Sequence, residues 1–146
     1  MAGLKIFTIG YEGATQADFI ARLAEAGIEL LADVRAVPLS RRPGFSKNVL
    51  AAALKEAGID YVGLKALGTP PEGREAARKG RSDILSRVYA AQLELPEAQL
   101  AAAQLVDMAR ERPTALLCFE RDPCACHRSL LIKAVMPQAE TVHLFV

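Results

Sequence analysis

The chain has 146 residues, 51% of them apolar, with 18 basic and 17 acidic residues and a formal charge of +1. That length fits one domain with one core, residues 1–146, needing no metal or disulfide to hold it. The near-neutral charge excludes a globally basic nucleic-acid binder but leaves room for a local basic patch. Neither a run of membrane-spanning length nor a basic-plus-apolar leader pattern is present, and the three cysteines crowd into one segment. The expectation is therefore a reduced, cytoplasmic protein without membrane partners.

Leu4 to Ile9 is a short apolar run closed by Gly10, which predicts a buried strand. Thr15, with Asp18 three residues on, starts a helix in the manner of a capping box, and Phe19, Leu23 and Ala26 supply its apolar face. Glu29 to Val34 is the second strand. Ser46 opens a second helix with Val49, Leu50, Ala53 and Leu54 on one side. Glu25-Ala26-Gly27-Ile28 and Glu56-Ala57-Gly58-Ile59 are near copies, and each predicts a Schellman stop followed by a strand. Tyr61 to Leu64 is a weaker third strand. Lys65 to Ser82, with Pro70, Pro71, Gly73 and Gly80, reads as a long functional loop. Helices follow over 83–95 and 97–112, then a strand over Thr114 to Phe119, a helix over His127 to Val135, and a last strand over Thr141 to Val146.

Alternating strands and helices predict a three-layer α/β fold with a mostly parallel five-stranded sheet and helices on both faces. Ligands of such sheets bind beyond the carboxyl ends of the strands, where strand order reverses. The suggested order is 3-2-1-4-5, which sets the loops after Ile9 and Phe119 face to face.

Unusual residues do cluster after the predicted strands. Thr8, Gly10 and Tyr11 flank the first; Gly10 would allow close backbone approach, and Tyr11 could stack on a base or donate a hydrogen bond. Arg35 follows the second, offering a planar fork for carboxylate or phosphate. For Asp33 an internal ion pair is preferred to a catalytic role. Arg42 lies in a basic turn that leads into the helix opened by Ser46. Lys65, Arg74, Arg78, Lys79 and Arg81 make the loop after the third strand basic.

Cys118 to Arg128 is the densest segment. Cys126, His127 and Arg128 open a helix, where a thiol tends to a lowered pKa and an arginine can hold an anion. Glu120 and His127 are the candidate general acids or bases. Cys118 taken alone reads as a small buried hydrophobe. No cofactor is required; zinc is the one that the ligand types of Cys118, Cys124, Cys126 and His127 would allow, although adjacent Cys and His fit a tetrahedral ion poorly. A redox Cys-x-x-Cys is absent. The thiol phosphatase template also fails, because the residue six after Cys118 is Cys124 and not arginine. There is no dinucleotide fingerprint and no Walker-type phosphate loop.

Thr8-Ile9-Gly10-Tyr11, Asp33-Val34-Arg35, Ser40-Arg41-Arg42-Pro43-Gly44-Phe45-Ser46, Leu117-Cys118-Phe119-Glu120 and Cys126-His127-Arg128 together resemble the bacterial family called domain of unknown function 488. The resemblance departs at Leu67-Gly68-Thr69, where the family often has Leu-Gly-Gly. It implies a compact α/β fold and no particular reaction. From the residues, the expected function is an enzyme acting on a phosphate-bearing nucleotide or nucleic-acid end. Arg35, Arg42 and Arg128 would hold the anion, Glu120 or His127 would move a proton, and Cys126 would be the nucleophile. The alternatives are a non-catalytic module binding nucleic acid or a small anion, and a domain stabilised by metal at the cysteines.

Overall fold

The computed structural model describes residues 3–122 and 127–146. Five parallel strands form one sheet: β1 (Lys5–Gly10), β2 (Leu30–Asp33), β3 (Asp60–Gly63), β4 (Thr114–Cys118) and β5 (Glu140–Leu144). Between them run α1 (Gln16–Glu25), α2 (Lys47–Glu56), a 3₁₀ turn at Lys65–Leu67, α3 (Pro71–Arg78), α4 (Ser82–Leu93), α5 (Pro96–Glu111) and α6 (His127–Val135).

The local signals act as the sequence predicts. Thr15 caps α1, its Oγ1 accepting from the Asp18 N–H at 3.2 Å. Gly27 and Gly58 take φ of +75° and +78°, and the N–H groups of Ile28 and Ile59 reach back to the carbonyls of Leu23 and Leu54. Both helices thus end in the Schellman arrangement, which turns the chain into the next strand.

The sheet order is β3-β2-β4-β1-β5, so the expected order 3-2-1-4-5 is corrected by an exchange of β1 and β4. The physical reason is burial. All five residues of β4 are buried, and Thr-Ala-Leu-Leu-Cys offers apolar or small side chains to both faces. Such a strand suits the centre of the sheet, farthest from either edge, whereas β1 begins at the exposed Lys5 and lies next to the edge strand. β3 and β5 keep exposed polar ends and take the edges, where Glu140 pairs with Lys5 at 3.7 Å.

Side chains alternate along β4 and divide the core in two. Ala115 and Leu117 pack with Ile9, Leu31, Phe19 and Leu23 of α1 and Leu50 and Leu54 of α2. Leu116 packs with Ile6, Ala32, Tyr89 of α4, Leu105 of α5 and Leu131 of α6. The exchange leaves β1 and β4 adjacent, with Gly10 opposite Cys118. Their following loops still meet: the N–H groups of Tyr11 and Glu12 donate to the carbonyls of Cys118 and Phe119 at 3.3 and 2.8 Å. No helix among the described residues is long and apolar enough to cross a membrane.

The stretch read as a loop over 65–82 is instead largely helical. Pro71 stands at the first position of α3, where the missing N–H costs nothing, and Glu72 sits in the first turn. Gly73 is not a breaker here: a Cβ at that position would lie 2.3 Å from the Thr69 methyl carbon. Gly68 is equally constrained, with a Cβ falling 2.2 Å from the Ala36 nitrogen. Gly68 thus sets the turn before α3 against the exit of β2, and Gly73 sets α3 against Thr69 and α4, which together build one wall of the site.

Candidate functional site

A cavity of about 580 Å³ opens at the carboxyl edge of the sheet, within the size range of small-molecule sites. One wall comes from strand ends and α6: Tyr11, Glu12, Cys118, Phe119, Glu120 and His127. The rest of the lining comes from the β2 exit, with Arg35 beside Tyr11, and from the α3 region, with Thr69, Arg74 and Arg78.

Cys118 is the last residue of β4 and is 7% exposed. Its thiol donates to Glu120 Oε2 at 3.1 Å, and its sulfur lies 3.7 Å from His127 Nδ1. His127 Nε2 sits 2.8 Å from the Val34 carbonyl oxygen. A carbonyl only accepts, so Nε2 carries a proton, and in the neutral form of the ring Nδ1 is the acceptor that faces the sulfur. Tyr89 packs edge-on against the imidazole, with ring centroids 5.1 Å apart. The three groups come from one short stretch of sequence, but β4 and α6 approach them from different directions.

Glu120 is positioned by backbone contacts on both sides. Gly10 lies beneath its peptide, and a Cβ there would fall 1.8 Å from the Glu120 carbonyl oxygen. The close approach that Gly10 permits is thus from the protein's own chain. Arg128 donates from its terminal nitrogen to the same carbonyl. The Arg128 guanidinium is 1% exposed, and its Nε has no hydrogen-bond partner among the described residues. Thr8, also buried, shares a 2.7 Å hydrogen bond with His143. Burial, and then the Arg128 charge, hold the His143 imidazolium below its ordinary range. Thr8, Gly10 and Arg128 therefore lie beside the cavity, behind the Glu120 loop, and do not line it.

Arg35 lines the cavity but is held tightly from within. Its Nε and one terminal nitrogen donate to the two Asp33 carboxylate oxygens at 2.8 and 2.7 Å. The other terminal nitrogen donates to Tyr11 Oη at 3.3 Å and to the Phe45 carbonyl at 2.8 Å. Four of the five guanidinium donors are thereby used. Burial alone would lower the Arg35 pKa, but the hydrogen bond to Asp33 and its charge outweigh burial and raise it. Tyr61 also donates to Asp33. Burial, with that hydrogen bond next, pushes the Tyr61 phenol up. Asp33 is the internal ion-pair partner that its place in a buried strand suggests.

Tyr11 stacks on Phe45, with centroids 4.6 Å apart, and meets Phe119 edge-on at 5.4 Å, while the Arg35 guanidinium lies over its ring at 5.3 Å. Phe119 remains 46% exposed at the mouth of the cavity. Arg42 donates through Nε to the Ala14 carbonyl and does not reach the cavity. Cys124 and Cys126, the second of them the expected nucleophile, lie outside the described residues, as do two of the four ligand types weighed for zinc. Among the described residues no group of three or more His, Cys, Asp or Glu side chains is placed to hold a metal ion.

Thr69 and Glu12 were not among the expected site residues, Arg74 and Arg78 were expected only as part of a basic loop, and Cys118 as a buried hydrophobe or one of four ligand types for zinc. For the arginines the available signal is their four-residue spacing after Pro71, one helical turn on one face. For Cys118 it is the Cys-x-Glu spacing at the end of the most apolar strand.

The family described as "Domain of unknown function DUF488" matches residues 15–135. No curated protein matches the chain, and no solved structure does either. The chain belongs to the DUF488 family.

Proposed function

We propose that the protein is a thiol enzyme, a hydrolase or transferase, acting on a phosphate-bearing substrate at the carboxyl edge of the sheet. One observation carries this reading: Cys118 stands in the wall of a ligand-sized cavity with a carboxylate at 3.1 Å and an imidazole nitrogen at 3.7 Å. A buried cysteine that served only to fill space would have no need of two proton acceptors.

The two acceptors have different parts. A carboxylate beside sulfur disfavours the thiolate through like charge, whereas an imidazolium favours it. His127 therefore takes the Cys118 proton at Nδ1, while its Nε2–H stays on the Val34 carbonyl. The thiolate attacks the electrophilic centre, the bond from that centre to the leaving group breaks, and the proton held at His127 passes to the departing group. Glu120 then takes a proton from the entering nucleophile, which releases the thiol. Cys118 is the nucleophile of this reading; Cys126, the sequence's candidate, lies outside the described residues. Tyr11 and Arg35 shape the cavity wall. Thr8, Gly10, Arg128 and Arg42 support the loops around it, and a nucleotide or nucleic-acid end supplies the phosphate. The reading includes a reducing cytoplasm, which keeps the thiol available.

Alkylation by iodoacetamide, followed at Cys118 by peptide mass, tests the pair without knowledge of the substrate. His127→Gln is expected to slow modification at neutral pH about tenfold or more, the size of a one-unit rise in thiol pKa. Equal rates in the two proteins would remove the nucleophile. Turnover, screened over phosphomonoesters, nucleotides and phosphorylated oligonucleotides, should vanish in Cys118→Ala. In Glu120→Gln it should fall while binding persists.

A further inference from the structure

We infer that the phosphate of the substrate is a handle, held by Thr69, Arg74 and Arg78 on the α3 wall, and that the substrate is a small phosphorylated molecule whose phosphate leaves the enzyme unchanged. This rests on the reading of Cys118 as the reacting group, and it adds where the anion sits and what the thiol does not attack.

Charge divides the cavity. Glu12 and Glu120 lie on the strand-end side with the thiol, whereas Arg74 and Arg78 come from one face of α3. A phosphoryl dianion placed at Cys118 Sγ would stand close to the Glu120 carboxylate, which is 3.1 Å from that sulfur. Like charges at that range repel strongly where water is thinned out. The thiol also lacks the arginine six residues on that would complete a phosphate-cradling loop, since position 124 is Cys. An uncharged or carbon-centred electrophile suits the thiol wall better.

The α3 wall has the opposite character. Arg74 donates one terminal nitrogen to the Thr69 carbonyl at 3.1 Å, which steadies it and leaves its other donors for a ligand. Arg78 is exposed, and neither arginine forms a salt bridge among the described residues, while the neighbouring Glu75 is taken by Lys79 at 3.0 Å. Thr69 adds an independent observation. It is 4% exposed and lines the cavity, yet its hydroxyl has no hydrogen-bond partner among the described residues. Buried hydroxyls are nearly always bonded, so this orphan oxygen, covered in the empty protein but carried by a residue of the cavity wall, is a partner that a ligand gains when the side chain turns toward it. Two guanidinium groups and a hydroxyl are a donor set for phosphate.

The cavity volume, about 580 Å³, accommodates a mononucleotide or sugar phosphate. A net charge of +1 gives the chain no global basic character with which to attract a polymer.

Binding of inorganic phosphate and of AMP to the full chain, measured by phosphorus NMR and calorimetry, tests the assignment. Wild type should bind both, Arg74→Ala/Arg78→Ala should bind each about a hundredfold more weakly, and Arg78→Ala alone about tenfold, one charge-assisted contact being worth roughly a factor of ten. Cys118→Ala should keep wild-type affinity for both. Arg78 is exposed, so the single variant reports on binding even if the double variant folds poorly. Unchanged affinity in Arg78→Ala and in the double variant, or loss of phosphate binding in Cys118→Ala, overturns the handle while leaving a phosphate-bearing substrate in place. Absence of binding to wild type overturns both readings. A phosphorylated oligonucleotide that binds more tightly than AMP, with steep loss in salt, overturns the small-molecule class. Release of inorganic phosphate during turnover overturns the spectator role.

Discussion

Arg35 and the Arg74–Arg78 pair border one cavity, yet the fold holds them in opposite ways. Arg35 is 6% exposed and spends four donors on Asp33, Tyr11 and Phe45. Arg74 makes one backbone contact, and Arg78 is exposed on the same helix face. The first arrangement fixes the shape of the wall, because every group that it ties together comes from a different element. The second keeps positive charge available at a wall that is already built. An arginine beside a cavity is therefore informative only once its donors have been counted.

The sharpest way to break this comparison is to remove the carboxylate that holds Arg35. Asp33→Ala leaves a buried guanidinium without its counter-charge and strips Tyr61 of its acceptor. The expected loss is about 3–5 kcal/mol in urea unfolding, the range for breaking a buried pair. Arg78→Ala should stay within about 0.5 kcal/mol of wild type, as exposed substitutions usually do. Similar losses in the two variants would erase the distinction between the walls.

A second variant sharpens it on the thiol side. Gly10→Ala places a methyl 1.8 Å from the Glu120 carbonyl oxygen, so the loop carrying Glu120 must move away. The backbone gives no flexible side chain to yield, and the expected cost is about 1–3 kcal/mol. Alkylation of Cys118 should change as well, since Glu120 is the nearer of its two acceptors. A stable Gly10→Ala protein with wild-type thiol reactivity would show that Glu120 is not positioned by this crossing.

Local stop and start signals made most of the fold legible in the sequence. Gly27 and Gly58 terminate their helices as their repeated context predicts, and α6 runs over His127–Val135 as expected. The order of β1 and β4 was not legible, because both are interior strands and the choice of the central one depends on comparing their burial across the whole sheet, a non-local comparison. α3 was hidden for a different reason: Pro70, Pro71 and Gly73 look like breakers until Pro71 is placed at the first helical position and Gly73 against Thr69. At the site, Tyr11, Arg35, Glu120 and His127 reach the cavity from positions that the sequence singles out. Arg74 and Arg78 were legible as part of a basic stretch after the third strand, but that they share one face, and that Thr69 joins them, could not be found without α3. Cys118 read as a hydrophobe because its acceptors are brought to it by β4 and α6 together.

Thr69 separates the two kinds of wall residue by the sign of an effect. A side chain kept for architecture loses stability when its polar atom is removed, as Asp33 should. A hydroxyl kept for a ligand is a burden in the empty protein, because burying an unsatisfied polar group costs about 1–3 kcal/mol. Thr69→Val preserves shape, and the methyl that meets Gly73 is retained. The variant should be about 1 kcal/mol more stable than wild type in urea without ligand. Added phosphate should then raise the stability of wild type more than that of Thr69→Val, since only wild type offers the hydroxyl. A loss of stability in the ligand-free variant would mean that the hydroxyl serves the fold, and the two walls would then differ only in their arginines.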